Sequence, residues 1–139
     1  MVPMGLSQGF SIPAEVRGRL ARLGLEFLAD FLGRATERRP ANTEALAELG
    51  NVLTELGRLE DGLAVDERLV RLLPDDPTVH YNLACSLALL GKSDRALDAL
   101  ERSFGLGYRE VEHMQTDAHL ASLRTHPRYL ALVARGSGA

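Results

Sequence analysis

Four histidines and one cysteine have the widest chemical reach of any residues in this chain. His80, His113, His119 and His126 offer imidazole nitrogens to a metal or a proton, and the last three fall within 14 residues. A zinc-protease helix needs two histidines one turn apart with an adjacent Glu, so that both rings reach one ion from one face. No pair here has that spacing, so His113, His119 and His126 are expected to cap helices or face solvent and His80 to pack, with no metal bound. The single Cys85 can form neither an internal disulfide nor a thiolate cluster. It reads either as a small buried residue or as part of a groove lining. A thiol nucleophile would need a His and an orienting acid beside it, and His80, five positions away on one helix, does not face it. The glycines are scattered at turns rather than clustered after a strand, and no strand is predicted. A phosphate loop, nucleophile elbow and dinucleotide fingerprint are all missing. The expectation is a non-enzymatic chain without cofactor.

The elements that would position any site are set by a 34-residue recurrence. Leu49-Gly50, Gly57 and Pro74 are answered by Leu83-Ala84, Gly91 and Tyr108, and Leu46, Leu53, Gly62 and Leu69 by His80, Leu87, Ala96 and Ser103. Such a period marks stacked helical hairpins. The first unit, 43–76, predicts one helix from Thr43 to Leu56 and a second from Leu59 to Leu73, with a turn at Gly57 and a cap from Asn42 or Thr43. The second unit, 77–110, predicts helices from Thr78 to Leu90 and Ser93 to Phe104, with Gly91 turning the chain and Ser93 placed to cap. Upstream, Pro13 suits a helix start, and Val16, Leu20, Leu23, Phe27, Leu28, Phe31, Leu32 and Ala35 make an apolar stripe that should pack on the first unit. Pro40 stands 34 residues before Pro74, which favours reading 13–42 as a decayed repeat; one long helix with Gly18 and Gly24 inside it is the alternative. Beyond Gly107 the period fails. Residues 111–134 read as capping helices that close an exposed solenoid end, 1–12 as a flexible lead and 135–139 as a disordered tail.

This spacing and residue pattern resemble the tetratricopeptide repeat, whose pattern places a large residue, Leu-Gly, an aromatic, Gly, Ala, an aromatic, Ala and Pro at these offsets. The resemblance implies an all-α, right-handed solenoid of stacked antiparallel hairpins that binds other proteins. It also implies that the first helix of each unit lines the concave surface. The residues so placed are Glu44, Ala47, Glu48, Asn51, Thr54 and Glu55, then Thr78, Tyr81, Asn82, Cys85, Ala88 and Leu89. Asn51 and Asn82 can each offer a donor and an acceptor to a peptide backbone, or simply meet water, and Tyr81 can add an aromatic contact with a polar tip. Relatives that clamp the carboxylate tail of heat-shock chaperones join two such asparagines to three basic residues. Here those basic positions fall on Ala47, Glu112 and Thr116, so a terminal carboxylate has no cation to meet.

Charge and composition narrow the partner class. The 139 residues carry a net charge of −3, with nine acids against three bases over 43–76 and six bases against four acids over 1–42. With no basic stripe, nucleic acid is not expected as a partner; the acidic unit reads as a solvated face, with steering toward a basic partner as the alternative. No apolar run reaches the roughly 18 residues a membrane span requires, and the start lacks a secretory pattern, so a cytoplasmic location is expected. The leading expectation is a scaffold or adaptor holding a protein or peptide in its groove. Homo-oligomeric assembly through the N-terminal helix or the end cap is the alternative.

Overall fold

The computed structural model describes residues 11–138, and among them the chain is all helix and turn. Helix α1 runs Ala14–Arg38, followed by α2 Thr43–Glu55, α3 Leu59–Leu72, α4 Pro77–Leu89, α5 Ser93–Gly105, α6 Val111–Thr116, a 3₁₀ segment Ala118–Leu123 and α7 Pro127–Gly136. The flexible lead expected over 1–12 lies, up to residue 10, outside the described residues.

Helices α2 and α3 pair as one hairpin and α4 and α5 as the next, and each hairpin is closed in the same way. The Gly57 N–H donates to the Thr54 carbonyl and the Arg58 N–H to the Leu53 carbonyl; 34 residues on, Gly91 and Lys92 do the same to Ala88 and Leu87. This closure requires left-handed backbone, and Gly57 and Gly91 sit at φ 76° and 73°, where a side chain would be strained. Helix starts are fixed by caps. Asn42 Oδ1 accepts from the Ala45 N–H at 3.1 Å. Asp76 Oδ1 accepts from Thr78 and Val79 ahead of α4, whose first residue is Pro77. Ser93 is not the cap it was expected to be: Lys92 holds that position with no side-chain bond, and Ser93 is the first helical residue.

Three apolar clusters hold the stack. One joins Ala29 and Leu32 of α1 to Leu49, Val52, Leu53 and Leu56. A second joins Leu46, Leu69 and Val79. The third and largest runs from Leu63 through α4 and α5 into the C-terminal elements, burying Leu97, Leu100, Met114, Leu120 and Leu123 completely. The closing elements therefore share the core of the second hairpin. Polar bonds also hold them: Arg128 donates to Glu101 at 2.8 Å and Asp98 at 2.6 Å on α5, and Tyr129 Oη to the Met114 carbonyl at 3.3 Å. The tail expected to be disordered from 135 instead continues α7 through Gly136, where an added Cβ would lie 2.2 Å from Val111 Cγ2.

Residues 13–42 do not form the decayed two-helix repeat favoured by the position of Pro40. They hold one 25-residue helix. Gly18 and Gly24 sit inside it with open space around their Cβ positions, and neither has the positive φ of a hairpin turn. The apolar periodicity is uninterrupted across both, so nothing ends the helix there. Only its second half reaches α2. Residues 11–24 are exposed throughout, and the expected packing of the whole stripe on the first unit fails for Val16, Leu20, Leu23, Phe27 and Phe31.

Candidate functional site

Helices α2 and α4, stacked side by side, present their open faces to a concavity of about 430 Å³. Its lining takes Glu48, Asn51, Thr54 and Glu55 from α2, Tyr81, Asn82, Cys85 and Ser86 from α4, and Asp66 from α3 behind them. The C-terminal elements close one side with His113, Asp117 and His119. Of the residues placed on the groove by the repeat pattern, the structure brings Asn51, Thr54, Tyr81, Asn82 and Cys85 together. Glu44 and Ala47 fall outside the lining, and Ala47 turns to the cluster of Leu46, Leu69 and Val79. Glu44 lies one turn before Glu48, the first α2 residue of the lining, while Ala47 sits on the side of α2 that faces the core.

Tyr81 is not the free aromatic contact expected of it. It is buried, stacks on Tyr108 at 4.5 Å between centroids and 9° between planes, and donates its hydroxyl to Asp117 Oδ2 at 2.7 Å. Burial, and then the bond to Asp117, push its phenol far above the ordinary value. Tyr81 is therefore a strut that fixes the wall. Thr54 likewise spends its hydroxyl on the Gly50 carbonyl at 2.9 Å. The groups left to face a ligand are the amides of Asn51 and Asn82, the carboxylates of Glu48 and Glu55, and the two imidazoles.

Asp117 organises the far wall. It caps the 3₁₀ segment by accepting from the His119 N–H at 3.0 Å, while ring nitrogens of His113 and His119 each stand 3.6 Å from its oxygens. Burial alone would raise its carboxyl, but the Tyr81 hydroxyl, the His119 N–H and the neighbouring imidazoles outweigh that and hold it below the usual range. Asp117 was not among the expected site residues, although an Asp between two short helices is a recognisable cap signal. The structure also gathers Cys85, Asp117 and His119, with donor atoms within 4.8 Å of one another, an arrangement the spacing of the histidines did not reveal. Burial, followed by the Asp117 charge, pushes the Cys85 thiol well up, so it is held as S–H and donates toward Asp117 at 3.7 Å. The cluster is thus a hydrogen-bond network centred on a carboxylate.

Asp66 forms the floor. It is 7% exposed, accepts from the Ser86 hydroxyl, and is packed so closely that a Cβ on Gly50 would lie 3.2 Å from its Oδ1. Burial pushes its carboxyl up to about 6, with the Ser86 bond opposing. Its place between Gly62, Leu63 and Leu69 on the buried stripe of α3 was visible in the spacing. Across the lining the carboxylates of Glu48, Glu55, Asp66 and Asp117 meet no Lys or Arg, so the concavity is acidic as well as polar.

No protein-family model matches the chain, and no curated protein is similar enough to count as a relative. Among solved structures the fold is similar to the crystal structure of MamA, with a TM-score of 0.68 and 16% identity, covering 92% of this chain and 74% of that one. At that identity the likeness bears on the fold, and it supports a tetratricopeptide-like α-solenoid. Among the described residues no helix is long and apolar enough to cross a membrane.

Proposed function

We propose that this chain is a non-catalytic protein-binding module whose concave groove takes an extended segment bearing Lys or Arg. The observation that carries the reading is the groove's composition: paired amides at Asn51 and Asn82, one per repeat, set among four carboxylates with no Lys or Arg in the lining. The amides suit a peptide backbone, and Glu48 and Glu55 on the rim suit a cation held in partial contact with water. Catalysis fits the same residues poorly. Tyr81 and Cys85 are both held protonated, and each is spent on Asp117, so neither serves as base or nucleophile.

The test is a crosslinked pull-down from the native lysate with unmutated protein, an Asn51→Ala/Asn82→Ala variant and a Glu48→Lys/Glu55→Lys variant, followed by fluorescence anisotropy on the captured segment. The reading expects both variants to fold and to bind at least about tenfold more weakly, a loss of about 1.4 kcal/mol. It also expects unmutated binding to weaken with added salt. Equal affinity in all three proteins would move recognition to another face.

A further inference from the structure

Away from the groove, α1 carries two apolar faces, and only one of them is used. Leu25, Leu28, Ala29 and Leu32 pack on α2. Val16, Leu20, Leu23, Phe27 and Phe31 lie on a different side and are 43%, 55%, 61%, 73% and 60% exposed. A helix apolar on both sides belongs between two partners, and this stripe extends for about 22 Å at 1.5 Å per residue. Its first half projects past α2 with no neighbour among the described residues, where an isolated helix of a few turns would be marginal in water. The charges beside the stripe fall in blocks: Arg17 and Arg19 flank its first half on either side, and Glu26 and Asp30 flank its second on the Arg19 side, where they pair within the helix with Arg22 and Arg34.

The geometry points to a second copy of this chain as the occupant, its α1 lying antiparallel to the first about a two-fold axis between Leu23 and Gly24. In that register Val16 meets the other copy's Phe31 and Leu20 its Phe27, so a large ring always faces a smaller aliphatic chain. Arg19 comes level with the second copy's Leu28, on the same side of the seam as that copy's Glu26 and Asp30. The parallel arrangement would set Arg17 and Arg19 of one copy level with Arg17 and Arg19 of the other, which opposes it. Gly24, at the crossing point and without a Cβ, lets the two backbones approach closely.

Sedimentation velocity on the full chain tests the pairing. The expected result is a mass that rises with concentration toward twice that of one copy. Leu20→Glu/Leu23→Glu should remain monomeric with unchanged helical circular dichroism and cooperative melting. Register is read in a Cys85→Ser background. Val16→Cys mixed with Phe31→Cys should oxidise to a linked dimer, whereas Val16→Cys alone should not. A monomer at every concentration, a dimer indifferent to the two glutamates, or self-linking by Val16→Cys would each overturn the proposal.

Discussion

Asp66 sits in the floor of the groove with its carboxyl pushed up to about 6 by burial, against about 3.9 in an unfolded chain. Between those values the folded protein holds a proton that the unfolded chain has released. Stability therefore falls as pH rises from about 4 to about 6 and stays lowered above, by about 3 kcal/mol at 1.36 kcal/mol per unit. Asp66→Asn keeps the shape and an acceptor for Ser86 while removing the buried charge. Urea denaturation should find the variant about 2 to 3 kcal/mol more stable than the parent at pH 8, and nearly equal to it at pH 4. A parent whose stability is flat across that window would show that Asp66 is solvated in a way its packing does not indicate. Cys85, by contrast, is buried and held as thiol by its surroundings, so alkylation at neutral pH should be slow until the chain unfolds.

Among the elements, α7 is the one whose docking depends on a single missing side chain. Gly136 lies against Val111 and Phe104, where an alanine methyl would fall 2.2 Å from Val111 Cγ2. Valine is stiff at χ1 and cannot swing away cheaply. Gly136→Ala should therefore cost about 1 to 3 kcal/mol and raise amide exchange in α7 more than in α2. The caps offer a contrast. Asn42 closes the start of α2 with a side-chain bond, and Asn42→Ala should cost about 1 kcal/mol by thermal melting. Ser93 makes no cap, so Ser93→Ala should change little. Helix α1 is the element most at odds with its sequence expectation. Gly18 and Gly24 stay inside one helix because a glycine turns a chain only where the neighbouring backbone closes on it, as at Gly57 and Gly91.

At the scale of the molecule, the second hairpin and the C-terminal elements form one cooperative body. Leu97, Leu100, Met114, Leu120 and Leu123 are all fully buried in the same cluster, so the cap cannot leave without opening the core of α4 and α5. A chain ending at Gly107 should lose cooperative melting and bind a hydrophobic dye, where a solenoid of independent repeats would only lose part of its stability. The same truncation removes Asp117 and both wall histidines from the groove. The concavity and the core thus share the C-terminal elements, which makes the Asn51, Asn82, Glu48 and Glu55 substitutions, rather than truncation, the cleaner probe of the proposed recognition.

The sequence by itself determined the two hairpins, their turns and most helix boundaries, because each depends on contacts a few residues apart: the apolar period, the left-handed glycines and the prolines between units. The resemblance to the tetratricopeptide repeat, rather than the period alone, implied that α2 and α4 would share a concave face. Asn51, Asn82, Thr54, Tyr81 and Cys85 do line one concavity. Only the tertiary structure decided what those residues are free to do. Tyr81 and Cys85 are claimed by Asp117, 36 and 32 residues away, and no periodicity announces a partner contributed by a cap that breaks the repeat. The exposure of the Val16 to Phe31 stripe was hidden for a related reason. A helical pattern fixes which residues share a face, but packing decides which face a neighbour covers, and α2 takes the opposite side of α1, the one that carries Leu25, Leu28, Ala29 and Leu32.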